Sequence, residues 1–426
     1  MKRLSFVTFV CVAVAAVAPR RAVAHGVDEP PAAEAPLVVD GELIGAGANY
    51  GLLLREDSAL LWTPEETLST QSINDWHAVD GGDRILAATS RGLLSTTDGG
   101  CTWSIHGETL AGRAVTDVGS PLQDSRLLLA ATEAGGDENG IFRSTDGGTS
   151  WMPTEVSGAD LLMRSIVVRG TWAWAEGFDR GELEARLWWS KDGGETWTEA
   201  AEPVTNWSNA RLLGADEEKV FVAKKIDDET WRLHGVSKRL ESPEKLGTIP
   251  DRPEGMINSA DGMYVLGGKS TYSVSKGTVT DLDFRGHCLG RHLDRGRAVA
   301  CAAVVDAEGH FVEFDGSEKP KPLLSWKTVK PRDCPEGSEG AAQIEKLWPT
   351  LERQGVGGES DSRDTDDAAS GEGCGCASEP EGAIPPLWAL FGLSVAVAST
   401  RRRYDGRPSV TAAEGEPPDA GDQEPE

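Results

Sequence analysis

The sequence predicts an all-β fold, a β-propeller of seven four-stranded blades, on three observations. One short word recurs three times at a nearly constant period. Short apolar strands punctuated by Gly and Asp fill residues 36–330, and almost no segment in that range carries a helical period.

The recurring word reads Ser95-Thr-Thr-Asp98-Gly99-Gly100-Cys-Thr-Trp103, then Ser144-Thr-Asp146-Gly147-Gly148-Thr-Ser-Trp151, then Ser190-Lys-Asp192-Gly193-Gly194-Glu-Thr-Trp197. Its aspartates follow one another at 48 and 46 residues, a spacing at which repeats form propellers or solenoids. The chemistry is that of a turn that satisfies itself. A short hydroxyl or carboxylate bonds nearby backbone N–H groups, glycine supplies the positive φ of the reversal, and tryptophan anchors the following strand. The word therefore marks a hairpin tip. Ser95, Asp98, Gly100, Trp103, Ser144, Asp146, Gly148, Trp151, Ser190, Asp192, Gly194 and Trp197 are assigned structural roles, with no catalytic residue among them.

The pattern Ser-x-Asp-x-Gly-x-x-Trp resembles the Asp-box, or BNR repeat, of sialidases, sortilin-type receptors and photosystem II assembly-factor-like propellers. That resemblance implies that the box joins the outer two strands of a blade, at the end away from the ligand site. In the repeat around Asp146, four strands are read at residues 114–119, 126–133, 140–145 and 149–155. The same template places third strands near Gly51, Gly92, Gly140, Arg186, Thr230, Thr271 and His310, which makes seven units. Radial closure leaves only short, protected sheet edges.

Residues 1–24 read as a secretory signal: Lys2 and Arg3, an apolar run, then Ala22-Val23-Ala24 as a small-x-small cleavage site. Residues 25–35 form a leader. Cleavage exposes His25, whose amine and ring suit copper, but no second well-placed histidine accompanies it, and no metal or cofactor is expected. Six cysteines remain after the signal. Four of them, in the folded part, allow three connectivities. Cys288–Cys301 is the preferred pair, with Cys334 available to staple the extension at residues 331–353 to Cys101. A short helix is read at residues 343–353.

Residues 354–373 are acidic, Gly/Ser-rich and without aromatics, the composition of a disordered linker. Residues 374–403 hold Cys374 and Cys376, an apolar run long enough to span a membrane when its flanks are included, and Arg401-Arg402-Arg403. This layout resembles the MYXO-CTERM sorting signal of myxobacterial surface proteins. The resemblance implies a sorting protease acting near the cysteines, lipid modification there, and display at the cell surface or outer membrane. Residues 404–426 continue as an acidic, disordered tail.

The chain of 426 residues carries a net charge of −27, which argues against nucleic acid or an anionic membrane surface as a partner. An exported, non-catalytic propeller binding a protein, peptide or glycan fits these features best. Trp76, His77 and Trp207 are the candidate ligand-binding residues, read in loops between the fourth strand of one blade and the first of the next. Asp137 and Glu138, Asp179 and Glu182, and Asp227, Asp228 and Glu229 fall between second and third strands and read as a solvated rim. The alternative is a sialidase-like glycoside hydrolase or lyase. Against it, the chain lacks Arg-Ile-Pro, since Arg84-Ile85 is followed by leucine, and its propeller tyrosines (Tyr50, Tyr264 and Tyr272) sit in strand-like contexts. Three arginines converging at the loop end opposite the boxes, or two carboxylates close together there, would favour the enzyme.

Overall fold

A computed structural model describes residues 31–357 except 40–41, 57–58, 69–71, 122–125, 134–137, 183, 202–203, 205–208, 293–296, 304–308 and 315–319. The expected signal, the linker beyond residue 357, Cys374, Cys376, the membrane segment, the tail and Trp207 lie outside the described residues. The chain divides into two units, Met1–Arg363 and Asp364–Glu426, and the described residues all belong to the first.

Seven antiparallel sheets are each built from four consecutive strands, and the sheet of blade 1 gains a fifth strand from the far end of the chain. Third strands begin at Gly51, Gly92, Asn139, Glu184, Trp231, Thr271 and Gly309, within two residues of the sequence expectation. Blade 1 opens at Ala33, inside the segment read as a leader. In blade 3 the fourth strand is Met152–Gly158, three residues later than expected, because residues 149–151 belong to the box turn.

The first strand of each blade is innermost. These seven strands are Ala33–Val39, Ile73–Val79, Val115–Gly119, Leu161–Arg169, Ala210–Ala215, Pro253–Ser259 and Cys288–His292. Each touches the next around a complete circle, the last returning to the first. The second strands are small and apolar, as in Leu128-Leu-Ala-Ala-Thr132, because a neighbouring blade covers each face. The hydrophobic core is accordingly seven clusters, one at every blade–blade joint.

Polar side chains add directed ties across these joints. The Asp75 carboxylate accepts from the Val118 amide at 3.3 Å, Asp117 from Ile166 at 2.8 Å and Glu176 from Leu212 at 2.7 Å, linking blades 2, 3, 4 and 5 in series. Asn74 donates to the Val115 carbonyl at 2.7 Å and Thr116 to that of Met163 at 3.1 Å. The carboxyl groups of Asp75 and Asp117 also bond each other. Burial pushes Asp75 up to about 6, and burial together with the Asp75 charge pushes Asp117 well above the carboxylate range. The pair thus holds a proton that the unfolded chain releases near pH 4.

The C-terminal extension is a strap over the joint between the last blade and the first. Val329–Pro331 pairs in parallel with the outer strand of blade 1, Ala59–Thr63. Cys334 then bonds Cys101, in the box turn of blade 2. Helix α1 is Glu339–Arg353, one turn longer than expected, with the Ser338 hydroxyl accepting from the Ala341 amide at its N-cap. Leu351 and Val356 enter the core between blades 7 and 1 beside Trp62 and Trp326. Residues 354–357, read as the start of the linker, belong to the folded body, and the Gly357 amide donates to the Trp326 carbonyl at 3.0 Å. The second disulfide, Cys288–Cys301, crosses paired positions of two strands in blade 7.

The two disulfides close loops of very different length, with separations of 233 and 13 residues. On chain entropy alone, removing Cys101–Cys334 by paired serine substitutions costs roughly 5 kcal/mol and removing Cys288–Cys301 roughly 3 kcal/mol. Urea unfolding of each double variant checks this, and equal costs would refute the strap's role in closing the ring. For the acid pair the sign follows from tighter proton binding in the folded state. The pair's contribution to stability is fully present below about pH 4 and is lost as pH rises through about 6. Asp75→Asn keeps both hydrogen bonds without the proton, so its melting temperature declines less than that of the parent between pH 5 and pH 8.

Candidate functional site

The boxes are turns between third and fourth strands. In blade 3 the Ser144 hydroxyl donates to Asp146 at 2.8 Å and accepts from the Gly148 amide at 2.8 Å. Asp146 accepts from the amide and hydroxyl of Ser150 at 2.9 and 2.5 Å. Gly148 has φ of +86°, and a Cβ there would lie 2.3 Å from the His106 ring. Blade 4 repeats the arrangement with Ser190, Asp192, Gly194 and Thr196. In blade 2 the hydroxyl comes from Thr96, not Ser95: Thr96 stands two residues before Asp98, bonds it at 2.7 Å and accepts from the Gly100 amide at 2.9 Å. Ser95 is a buried strand residue one step too early for this geometry.

The Ser150 hydroxyl first, with its amide, holds Asp146 at about 2, and Asp192 reaches about 2 because bonds from Thr196 outweigh partial burial. The indoles of Trp151 and Trp197 fold back to donate to the Gly148 and Gly194 carbonyls at 2.9 and 3.1 Å. They pack, as Trp103 does, into the joint with the preceding blade. Every polar atom of this machinery serves the fold.

Antiparallel succession puts second-to-third and fourth-to-first connections at one end of the ring and the boxes at the other. At the end opposite the boxes lies a pocket of about 530 Å³ spanning blades 3 to 6. Arg164 and Arg211 enter it from the inner strands of blades 4 and 5, and Arg252 from just before that of blade 6. Lys225 and Trp231 flank the second-to-third connection of blade 5, and Glu133 is the one carboxylate in the lining. The lining thus holds four cations and one carboxylate in a chain of net charge −27, with Lys225 also paired to Asp228 at 3.2 Å.

Glu176 fixes two of those cations from below. It is fully buried, with Oε1 at 3.4 Å from Arg164 Nη1 and 3.7 Å from Arg211 Nε, while Oε2 takes the Leu212 amide. Burial raises its proton affinity, and Arg211, the Leu212 amide and Arg164 oppose that. The Arg164 guanidinium also lies over the Phe178 ring at 5.1 Å. Two planar donor forks are thereby held in place beside the more exposed Arg252. Such an array recognises oxyanions: carboxylate, sulfate or phosphate.

Trp76 and His77, proposed from sequence, lie elsewhere. Trp76 is in the inner strand of blade 2, only 6% exposed, with its ring 5.8 Å from that of Trp103. His77 follows it there, its Nε2 at 2.7 Å from the Ser120 hydroxyl, and burial lowers its pKa to about 4. Neither is a loop residue, because the strand begins at Ile73, earlier than the sequence suggested. Of the acidic connections, Asp179 and Glu182 pair with Arg186, and Asp227 accepts from the amides of Glu229 and Thr230 in its own turn. Asp137 lies outside the described residues. No group of three or more His, Cys, Asp or Glu is placed to hold a metal among the described residues. Sequence reasoning missed the arginines because they stand more than forty residues apart, and only ring closure brings them together.

No family model and no curated protein matches the chain. Solved structures do. YCF48 bound to a D1 peptide is 17% identical over 50% of this chain and 68% of that one, with a TM-score of 0.35. The GH74 enzyme of Niastella koreensis is 11% identical over 69% and 66%, with a TM-score of 0.28. The CNH domain of AfRom2 is 9% identical over 63% and 87%, with a TM-score of 0.38. Likenesses this distant carry no argument about function, and the seven-bladed fold is read from the strand order itself.

Glu176→Ala strips two guanidiniums of their buried counter-ion and the Leu212 amide of its acceptor, so unfolding free energy falls by about 3–5 kcal/mol. Glu176→Gln, which keeps an acceptor, costs less. Urea midpoints at neutral pH check both.

Proposed function

We propose that this chain is an exported, surface-anchored propeller that binds a protein, peptide or glycan through an anionic group, without turning it over. The observation that carries this reading is the meeting of Arg164, Arg211, Lys225 and Arg252 in one pocket opposite the boxes, in a chain otherwise strongly acidic. Long-range repulsion keeps polyanions from most of such a surface, so an anion that binds does so where cations are concentrated. Export is supported by the signal-like residues 1–24 and by two disulfides, which persist in oxidising compartments. Anchoring is supported by the order of Cys374, Cys376, the apolar run and Arg401–Arg403, with a sorting protease and lipid modification near the cysteines as the route.

The convergence of three arginines also favours a second reading, a sialidase-like hydrolase acting on acidic glycans. That chemistry requires a nucleophile at the clamp. The propeller tyrosines are placed elsewhere: Tyr50 Oη is 3.2 Å from His310 Nε2, Tyr264 stacks on Phe314 at 4.7 Å, and Tyr272 packs in the joint between blades 5 and 6.

The full-length protein, screened on peptides and glycans each offered in an anionic and a neutralised form, retains only anionic members in this pocket. Arg252→Ala weakens that binding about 10- to 100-fold, the worth of a hydrogen bond between charged groups. Added salt weakens it further. Indifference to Arg252→Ala overturns the assignment, and release of product from an acidic glycoside establishes the hydrolase in its place.

A further inference from the structure

The box-bearing end of the ring holds a second cleft, of about 620 Å³, where blades 3, 4 and 5 meet. Its chemistry differs from that of the arginine pocket. Arg169 and Trp172 flank the first turn of blade 4, Asp192 belongs to that blade's box, Glu217 and Lys238 come from turns of blade 5, and Leu127 from blade 3. Two cations and two carboxylates balance, so the cleft selects no net charge.

Its centrepiece is an indole held in one orientation. Trp172 stacks on Trp174, with centroids 6.1 Å apart and planes at 12°, and meets Trp189 at 5.8 Å. Trp174 is itself fixed, its Nε1 donating to the Lys238 carbonyl at 2.7 Å. The Lys238 ammonium lies over the Trp172 ring, 5.7 Å from its centroid, and Arg239 over Trp189 at 5.9 Å. The Arg169 guanidinium donates to the Ala215 carbonyl at 3.2 Å, which braces the wall between blades 4 and 5. A rigid indole beside an aliphatic side chain, ringed by hydrogen-bonding groups of both senses, suits a ligand with one apolar face and a polar perimeter. A sugar ring is such a ligand: axial C–H groups present a weakly positive face to the negative face of the indole, while hydroxyls reach outward as donors and acceptors.

We propose that this cleft is a binding site for a neutral saccharide, which stacks on Trp172 and bonds through its hydroxyls to Glu217 and Arg169, while Asp192 stays committed to its box. The sugar takes the place of the Lys238 ammonium over the ring. The site is separate from the arginine pocket and does not depend on the ligand assigned there.

The test is calorimetric titration of the full-length protein with neutral hexasaccharides of gluco-, galacto-, manno- and xylo-configuration. At least one binds. Trp172→Ala abolishes that binding, Glu217→Ala weakens it about tenfold, and Arg252→Ala, in the other pocket, leaves it unchanged. Lys238→Met removes the cation that competes for the indole, so affinity is kept or increased. Trp172→Phe, which retains a ring, binds detectably and serves as the folded comparison should Trp172→Ala lower the melting temperature. No binding by any of the four hexasaccharides, binding indifferent to Trp172→Phe and Glu217→Ala, or binding lost in Arg252→Ala overturns the proposal.

Discussion

Among the described residues each blade takes its four antiparallel strands from one stretch of chain, so the circle is not locked by exchange of one of those strands between the first and last blades. Seven self-contained sheets must therefore be held in a closed ring by what passes between them. Apolar packing at the seven joints supplies most of this, and it is non-directional. Direction comes from the carboxylates of Asp75, Asp117 and Glu176, each reaching an amide on the next inner strand. At the joint between last and first blades the C-terminal strap adds a parallel strand and helix α1, and its disulfide ties it on to the box of blade 2.

The same ties shape the candidate site. Glu176 bonds the Leu212 amide to align blades 4 and 5, and its other oxygen meets Arg164 and Arg211. One buried carboxylate thus both sets the angle between two blades and orients the donors that enter the pocket. Strand alternation then separates the two ends of the ring, one cationic and one balanced in charge with a half-buried indole.

Much of the fold was legible because its signals are local. A box is a closed circuit of hydrogen bonds within eight residues, so Ser144 through Trp151 declares its own conformation whatever surrounds it. The Ser95 assignment erred by one position because adjacent hydroxyls at 95, 96 and 97 offer the same chemistry, and only strand geometry selects Thr96. Trp76 illustrates the opposite limit. An indole reads alike in a loop and in a strand, and its place was fixed by pairing with Ala87 on the next strand and by contact with Trp103.

The repeat, the blade count, the turn chemistry and the preferred disulfide could all be read before any folding, since each is written within one unit or one short separation. Where function can reside emerged only from the folded ring. Arg164, Arg211 and Arg252 carry no motif and stand on three blades, so their convergence depends on the angle at which buried joints hold those blades together. Local chemistry makes blades, and packing between them makes the pocket.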